Sequence, residues 1–318
     1  MLENLKLKIG APAILGKLAT YPLLREQNGA PDLIELDEAL ATGMASITEV
    51  SQSGRVPVLA VKNGCDRDLI LYDGEELVGA KQNRIANMTV IVGAGSELNL
   101  PVSCVERGRW NWKSRHFKPS ESFMYPSLRR DKFAQVSASL KEGAGFAADQ
   151  SRIWGDIGDK ARRMNVHSPT EAMQDITDNF HVSDQELADQ IPEAPGQVGY
   201  LAFIRGGLAG TDIFASTRLC RRKLFKLLRS YYLDSFDKAL RFPPVEASQV
   251  LLQIQRARCR PVRSPGIGDE FRFRNHCVEG AVTYLNGQLV HLTAFPTRRR
   301  REPNPERRPR RRPETSAP

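Results

Sequence analysis

The segment from Tyr72 to Trp112 holds the densest group of residues that could carry out chemistry. Its acids, cations, amides and indole are Glu75, Glu76, Lys81, Gln82, Asn83, Arg84, Glu106, Arg109 and Trp110. Arginine binds phosphate or carboxylate through two parallel hydrogen bonds, carboxylates and amides bind hydroxyl groups, and an indole stacks on another ring. A carboxylate is also a general acid or base, so Glu75 and Glu76 are candidate catalytic residues. The other seven are candidate ligand-binding residues.

The same composition is equally typical of a solvated hairpin, with its charged side chains in water and its tryptophans in the core. Geometry separates the two possibilities. In a binding site, Glu75, Arg84, Glu106 and Arg109 would line one concave pocket. In a structural hairpin they would scatter over a convex surface.

Short runs of branched aliphatic residues predict the strands that position this segment. These runs are residues 55–62, 68–72, 88–92 and 98–105. The dipeptides Asn63-Gly64 and Asp73-Gly74 supply turn signals between them. Strands this short, with turns this close, favour an antiparallel sheet or sandwich over βαβ units.

Helices dominate the middle of the chain. The predicted helices are residues 127–141, 151–164, 168–180 and 183–190, the last with a Ser183…Glu186 capping box. A long helix over 218–240 has an apolar face and a basic face, the latter formed by Arg218, Arg221, Arg222, Lys226 and Arg229. We therefore expect an α+β fold: antiparallel sheets or a sandwich-like β core, a helical middle segment and a long basic helix.

Two predicted hairpins, residues 199–216 and 280–295, have the same sequence pattern of an apolar strand, a glycine turn and a second strand. The first turns at Gly206-Gly207 and the second at Asn286-Gly287, and each ends its second strand in phenylalanine. Either an internal duplication or the ordinary pattern of antiparallel hairpins explains this similarity.

The net charge is concentrated near the C-terminal end. The 318 residues carry a formal charge of +9, and nine arginines with three acids between Arg298 and Pro318 supply +6 of it. We therefore predict a single α+β domain over residues 1–296 and a disordered Arg/Pro-rich tail over 297–318. Nucleic acid is expected to bind only non-specifically, through this tail.

Several classes of protein are excluded by the sequence. No apolar run approaches the roughly 18 residues of a membrane span, so no membrane contact is expected. Five cysteines without CxxC spacing favour a reducing compartment, and we predict a cytoplasmic location. Phosphate-loop, dinucleotide-binding and zinc-protease motifs are missing, so we predict neither a cofactor nor a metal site.

Cys104 has two interpretations. Its neighbours Arg107 and Arg109 would lower the pKa of the thiol and make it reactive. Alternatively, Cys104 is a small buried residue of a strand, which is the commoner environment of a free cysteine.

Several ordered motifs are similar to those of one protein family. The stretch DGEELVGAKQNRIANMTVIVGAGSELNLPVSCVERGRW (73–110) resembles the signature of the ARG and rhodanese-phosphatase-superfamily-associated protein family. Later pieces agree in order: DQSRIWGDI (149–157), GGLAGTDIF into KLLRSYYLDS (206–235) and GAVTYLNGQLVHLTAF (280–295). The resemblance thus spans about residues 5–295 and rests on several motifs. The family is named for its association with ADP-ribosylglycohydrolases and phosphatase-like proteins.

The resemblance implies a role near NAD or ADP-ribose metabolism, a nucleotide or ADP-ribose-like ligand, and a partner of the ADP-ribosylglycohydrolase type. It supplies no catalytic set. In one interpretation the chain binds or processes ADP-ribose or a related phosphorylated nucleotide. Glu75 or Glu76 is then the base or ribose ligand, Arg84 and Arg109 are phosphate ligands, and Gln82 and Asn83 orient the ligand.

Two other interpretations stay open. The chain is then a non-catalytic accessory or interaction module, and its polar motif maintains a tight hairpin. Alternatively, the basic helix over 218–240 contacts nucleic acid together with the tail. The simpler account of that helix is a solvated basic face opposite a face that packs in the core.

Overall fold

The structure is a computed structural model that describes residues 2–26, 29–54 and 56–297. Within them the chain forms a 3-10 turn at Leu2–Asn4 and seven α-helices. The helices are α1 (Leu36–Ala41), α2 (Pro126–Lys141), α3 (Gln150–Arg163), α4 (Met173–Asn179), α5 (Asp184–Gln190), α6 (Thr217–Phe236) and α7 (Ala247–Gln255).

The described residues also form eighteen strands. In the N-terminal half they are β1 (Lys8–Ile9), β2 (Ala13–Leu15), β3 (Leu18–Leu24), β4 (Leu33–Glu35), β5 (Ala45–Glu49), β6 (Val58–Asn63), β7 (Asp68–Leu71), β8 (Glu75–Gly79), β9 (Arg84–Ala86), β10 (Val90–Val92), β11 (Glu97–Cys104) and β12 (Phe117–Phe123). In the C-terminal half they are β13 (Gln197–Ile204), β14 (Gly207–Phe214), β15 (Cys259–Val262), β16 (Asp269–Arg274), β17 (Val278–Leu285) and β18 (Gln288–Pro296).

These strands form three sheets. A nine-stranded sheet has the order β1-β3-β13-β14-β18-β17-β16-β15, with β2 also paired to β3. A six-stranded sheet has the order β12-β8-β9-β11-β6-β5, and a three-stranded sheet has the order β10-β7-β4. The pairing of β4 with β7 is parallel, and the other named pairs are antiparallel. The expected α+β fold with antiparallel sheets is confirmed.

The turn signals of the first half do not make hairpins, contrary to the sequence prediction. Strand β6 pairs with β5 and β11, whereas β7 pairs with β4 and β10 in a different sheet. The side chain of Asn63 is fully buried, and its Nδ2 donates to the carbonyl oxygens of Arg67 at 2.9 Å and Val92 at 3.0 Å. The turn after β6 therefore leads the chain from the six-stranded sheet into the three-stranded sheet. Asn63 bonds to Val92 of the second sheet, and β6 and β7 do not pair with each other.

The two C-terminal hairpins form as predicted and have the same register. The first turns at Arg205-Gly206, one residue earlier than expected, and the second turns at Asn286-Gly287. All four residues have positive φ, as a two-residue type I′ turn requires. Each hairpin shifts register two pairs beyond its turn, and β14 pairs directly with β18. This equivalence favours the internal duplication over a chance similarity.

The predicted helices form with adjusted ends. Ser183 caps α5 by accepting a hydrogen bond from the Glu186 backbone amide at 3.1 Å. Helix α4 begins only at Met173, because Glu171 adopts a φ of 50° that a right-handed helix does not allow. Two helices and ten strands of the described residues were not predicted: α1, α7, β1, β2, β3, β4, β5, β8, β9, β12, β15 and β16.

Helix α6 packs its leucines against β13 and β14, and acids of other elements pair with its basic face. Arg221 lies 2.7 Å from Glu193, Arg222 lies 2.8 Å from Glu38, and Lys226 lies 2.8 Å from Asp37. Arg218 and Arg229 pair with Glu38 and Asp184. The charge on this face is therefore compensated within the protein.

The predicted tail lies, from Arg298 onward, outside the described residues, so the domain boundary at residue 296 stays a prediction. The last described strand, β18, ends at Pro296. Within the described ranges, no helix combines the length and apolar character needed to cross a membrane.

Candidate functional site

The two candidate catalytic acids lie on opposite faces of β8, as neighbours in a strand must. The Glu75 carboxylate accepts a hydrogen bond from Lys223 Nζ at 2.7 Å and another from the Tyr72 backbone amide at 3.1 Å. Lys223 also donates to Asp37 at 2.6 Å. Glu75 therefore belongs to a buried ion-pair group between α1 and α6, apart from the other predicted site residues.

Glu76 is fully buried on the other face of β8. Neither of its carboxylate oxygens makes a hydrogen bond of normal geometry within the described residues. Burial raises the pKa of Glu76 to about 8, although the nearby Ser120 hydroxyl acts in the opposite direction. The side chain is consequently neutral at pH 7.

Glu106 and Arg109 form a closed hydrogen-bonded knot. Arg109 Nε and Nη2 donate to the two Glu106 carboxylate oxygens at 2.8 and 2.7 Å. Arg109 Nη1 donates to the carbonyl oxygens of Ala80 at 2.7 Å and Asn111 at 2.9 Å. Burial alone would raise the pKa of Glu106, but hydrogen bonds from Arg109 and Asn83 outweigh it and hold this pKa below its usual range. Every guanidinium nitrogen of Arg109 is used inside the protein.

The amides of Gln82 and Asn83 complete this knot. Gln82 Nε2 donates to the Glu106 carbonyl oxygen at 2.8 Å, and the Asn83 backbone amide donates to Glu106 Oε2 at 3.1 Å. Asn83 Oδ1 accepts from Arg109 Nη2 at 3.1 Å. Four of the predicted ligand-binding residues, Gln82, Asn83, Glu106 and Arg109, are therefore brought together, and they bind one another.

The knot anchors the loop of residues 107–116, which joins β11 to β12. The Lys113 backbone amide donates to the Ala80 carbonyl at 2.9 Å, and the Gly108 amide donates to Thr170 O at 2.8 Å. Gly79 has a φ of 125°, and a Cβ there would lie 2.6 Å from Ser114 Oγ and 2.9 Å from the His116 carbonyl oxygen. Only glycine allows β8 to approach the loop this closely.

Arg84 is different from Arg109, because half of its guanidinium is unused. The side chain is fully buried, and Nη1 donates to Gln82 Oε1 at 3.0 Å. Nε and Nη2 make no hydrogen bond with any described residue. The nearest acid is Glu49 on β5, whose Oε1 lies 3.7 Å from Arg84 Nη2 and whose two oxygens also make no hydrogen bond there.

Glu49 was not singled out from the sequence. The signal for it is the alternation in ASITE (45–49), which places Ala45, Ile47 and Glu49 on the inward face of β5. An acid at the inward position of an alternating strand is unusual, because a buried charge needs a partner. That signal requires the strand to be recognised first.

The two tryptophans of the 107–116 loop lie beside Lys81, and Trp110 also lies near Arg84. Trp110 and Trp112 are 44% and 50% exposed, and Lys81 Nζ lies 5.1 and 5.2 Å from their ring centroids. Lys81 also donates to the Ser53 carbonyl at 2.9 Å. The Arg84 guanidinium carbon lies 5.8 Å from the Trp110 ring. Trp110 thus connects the solvent-exposed surface with the buried, half-used Arg84.

Cys104 is a buried strand residue next to Arg84. Its Sγ donates to Gln82 Oε1 at 3.2 Å, and its side chain is closed off from solvent. Burial raises the pKa of Cys104, and Arg84 opposes this effect. The interpretation in which Arg107 and Arg109 lower this pKa is wrong, because Arg109 is fully engaged with Glu106 and burial dominates.

Arg84, Glu106 and Arg109 thus lie close together, whereas Glu75 lies elsewhere. The four residues therefore neither line one concave pocket nor scatter over a convex surface.

Two cavities of the described structure lie away from them. A groove of ≈ 1060 Å³ is lined by Lys6, Lys8 and Arg25 among others, and a cavity of ≈ 10 Å³, about the size of one water, lies beside Glu270 and His291. No group of three or more His, Cys, Asp or Glu side chains in the described ranges could hold a metal ion.

A second buried polar network was also missed by sequence reasoning. Arg129 on α2 donates to Asp73 at 2.9 Å and to both oxygens of Asp212 on β14 at 2.7 and 3.0 Å. Tyr200 donates to Asp212 at 2.9 Å, and Lys132 pairs with Asp73. These side chains are buried and mutually satisfied, so the network joins sheets and has no open position for a ligand.

The comparisons with known proteins agree with the resemblance seen in the motifs. A family model described as the ARG and Rhodanese-Phosphatase-superfamily-associated Protein domain matches residues 6–295. Neither the curated proteins nor the solved structures gave a match. The matched region covers almost all of the described residues, including the Glu106–Arg109 knot, Arg84 and both C-terminal hairpins. The chain therefore belongs to the ARG and rhodanese-phosphatase-superfamily-associated protein family.

Proposed function

We propose that the chain binds ADP-ribose or a related phosphorylated nucleotide at the group formed by Glu49, Lys81, Arg84 and Trp110. The observation that carries this proposal is the unused half of the buried Arg84 guanidinium. Buried polar groups without partners cost free energy, so their retention is typical of sites that await a ligand.

Each group has a separate role in the proposed complex. The free Nε and Nη2 of Arg84 present the two parallel donors that a phosphate accepts. The Glu49 carboxylate, which forms a long ion pair with Arg84 at 3.7 Å but no hydrogen bond with a described residue, accepts hydrogen bonds from ribose hydroxyls. The half-exposed ring of Trp110 stacks on the base, and Lys81 adds positive charge beside it.

We propose binding and assign no reaction. Glu75 and Glu76, the candidate acid-base residues, are buried, and Glu75 is paired with Lys223. In the Glu106–Arg109 knot the polar groups of Arg109 bond to other groups of the protein, and the knot holds the 107–116 loop in place. For this part of the motif the geometry favours the alternative, a structural role in a non-catalytic module. A cytoplasmic location and a partner of the ADP-ribosylglycohydrolase type stay predictions.

The test is the affinity of the full chain and of Arg84→Gln for ADP-ribose, NAD, AMP and ribose 5-phosphate, measured by calorimetry and tryptophan fluorescence. Loss of a charge-assisted hydrogen bond lowers affinity roughly tenfold to a hundredfold. Arg107→Gln is the matched control, because Arg107 lies in the loop that carries Trp110 but is exposed and pairs with Glu171 at 3.4 Å. Its affinity should equal that of the unmodified chain.

Trp110→Ala keeps the test decisive if Arg84→Gln fails to fold, since Trp110 is a surface residue. It should bind more weakly and lose part of the fluorescence change. Folded Arg84→Gln and Trp110→Ala proteins that bind every ligand as before, or a chain that binds none of the four ligands, would refute the nucleotide site.

A further inference from the structure

We infer that a single-stranded nucleic acid docks along the 107–116 loop and Lys118, and delivers one of its nucleotides to the Arg84–Trp110 group. This inference rests on the proposed function and extends it from a free nucleotide to a strand. Two features of the loop carry it: unpaired positive charge and two exposed aromatic rings.

Three cations in the second half of the loop and the start of β12 are uncompensated, unlike those on α6. Lys113, Arg115 and Lys118 are exposed and form no ion pair with any described residue. The sequence between Arg107 and Lys118 contains no acid. Unpaired cations with no acid between them in the sequence are suited to bind a nucleic-acid backbone. Each contact between a cation and a phosphate releases a counterion, which favours binding.

The two exposed aromatic rings of the loop provide surfaces on which bases can stack, which a cationic patch alone does not. Trp110 and Trp112 lie two residues apart and each exposes about half of its surface. Exposed large aromatic residues are uncommon on a surface, and alternating them with cations is typical of platforms on which the bases of a single strand stack. A base-paired duplex hides its rings and could not use them.

The loop is held in shape before any ligand arrives. Arg109 ties it to Glu106 and Ala80, and the amides of Gly108 and Lys113 bond to Thr170 and Ala80. A surface that is already ordered loses little conformational entropy on binding. The knot built from four of the predicted site residues thus presents the loop to a strand.

The experiment titrates the full chain with unlabelled ten-nucleotide oligo(dT) and oligo(rA), with the corresponding duplex, and with polyglutamate, and follows tryptophan quenching. The Arg-rich region beyond residue 297 also attracts phosphates, but it contains no tryptophan. Trp154→Phe removes the one tryptophan of the chain outside the loop, so quenching in that background reports on the loop. We expect the single strands to quench and the duplex and polyglutamate to have little effect.

The triple variant Lys113→Ala/Arg115→Ala/Lys118→Ala should bind the strands at least roughly tenfold more weakly at low salt. Its log–log salt slope should fall by about 0.7 for each contact removed. Its affinity for ADP-ribose should not change, because these residues lie outside the nucleotide group. Arg221→Ala/Arg222→Ala on α6 is the matched control, since its cations are already paired, and strand binding should be unaffected.

Two results would overturn this inference. If strands bind no tighter than free ADP-ribose, or if polyglutamate quenches as well as they do, the loop is not a strand-binding surface, and the nucleotide site stands. If the strands bind but no free nucleotide does, the proposed function fails, and with it the delivery of a nucleotide to Arg84.

Discussion

Glu76 is a buried acid whose proton links stability to pH. Its pKa is raised by burial to about 8 in the folded chain, from an ordinary value of 4.5. Between these values the folded state holds a proton that the unfolded state has released. The free energy of unfolding should therefore fall as pH rises from about 4.5 to 8.

Glu76→Gln should remove the contribution of Glu76 to this dependence, because an amide does not ionise. Glu35 and Glu270, whose pKa values burial also raises to about 7, keep their contributions. At pH 8 we expect the variant to be more stable than the unmodified chain by on the order of 3 kcal/mol. Urea unfolding at pH 5 and pH 8 measures the difference. The control is Glu97→Gln, at an exposed position on β11. Unfolding curves of Glu76→Gln that shift with pH as much as those of the control would contradict the assignment.

Arg109 and Arg84 illustrate two uses of the same side chain. Arg109→Ala removes both guanidinium hydrogen bonds from the buried Glu106 carboxylate and leaves it with the Asn83 backbone amide and the Thr170 hydroxyl, so we expect it to destabilise the chain by about 3–5 kcal/mol. Arg107→Ala, two residues away and exposed, should cost less than ~0.5 kcal/mol. Chemical unfolding of both variants at pH 7 provides the comparison. Equal stability would mean that the knot does not hold the loop.

Gly79 sets the distance between β8 and the 107–116 loop. Gly79→Ala introduces a Cβ against Ser114 and His116 at a φ of 125°, so the loop must shift or the strand must strain. We expect a loss of about 2 kcal/mol or more, together with a changed emission maximum for the loop tryptophans. Gly95→Ala is the matched control, with a φ of 65° but nothing within 4 Å. It should cost less and leave the emission unchanged.

The elements that were predicted correctly are those with local signals. Asn286-Gly287, the Ser183 cap and the apolar face of α6 each specify structure within a few residues. The division into three sheets was not predictable in this way, because the side chains of the turn residues Asn63 and Asp73 bond to residues far away in the sequence, such as Val92 and Arg129. Glu49 was not predicted for the same reason. It lies close to Arg84 only because β5 joins the six-stranded sheet by pairing with β6.

For the whole molecule, the thiols provide a simple check. Cys65, Cys104 and Cys220 are buried, whereas Cys259 and Cys277 are partly exposed, and all five are free. We expect two thiols to react quickly with a thiol reagent in the native protein and all five to react after denaturation without reductant. Mass mapping that finds a stoichiometric disulfide would refute this and the reducing compartment inferred from it.

The predicted tail supplies a second check at this scale. Deleting residues 298–318 should leave the melting temperature nearly unchanged, because a stretch of arginine and proline without large apolar residues adds little to a core. Differential scanning calorimetry of the two chains, at the same salt concentration, makes the comparison. A melting temperature many degrees lower would place the tail within the fold.

The Arg129 network has a consequence for how the protein opens. One guanidinium joins Asp73, at the junction of the two smaller sheets, to Asp212 in the nine-stranded sheet. If one sheet separated alone, Arg129 would stay with one of these buried carboxylates and be lost to the other, which makes partial opening costly. Backbone amides of β7 and β14 should then exchange with solvent deuterium through the same rare event, with equal protection factors and equal sensitivity to denaturant.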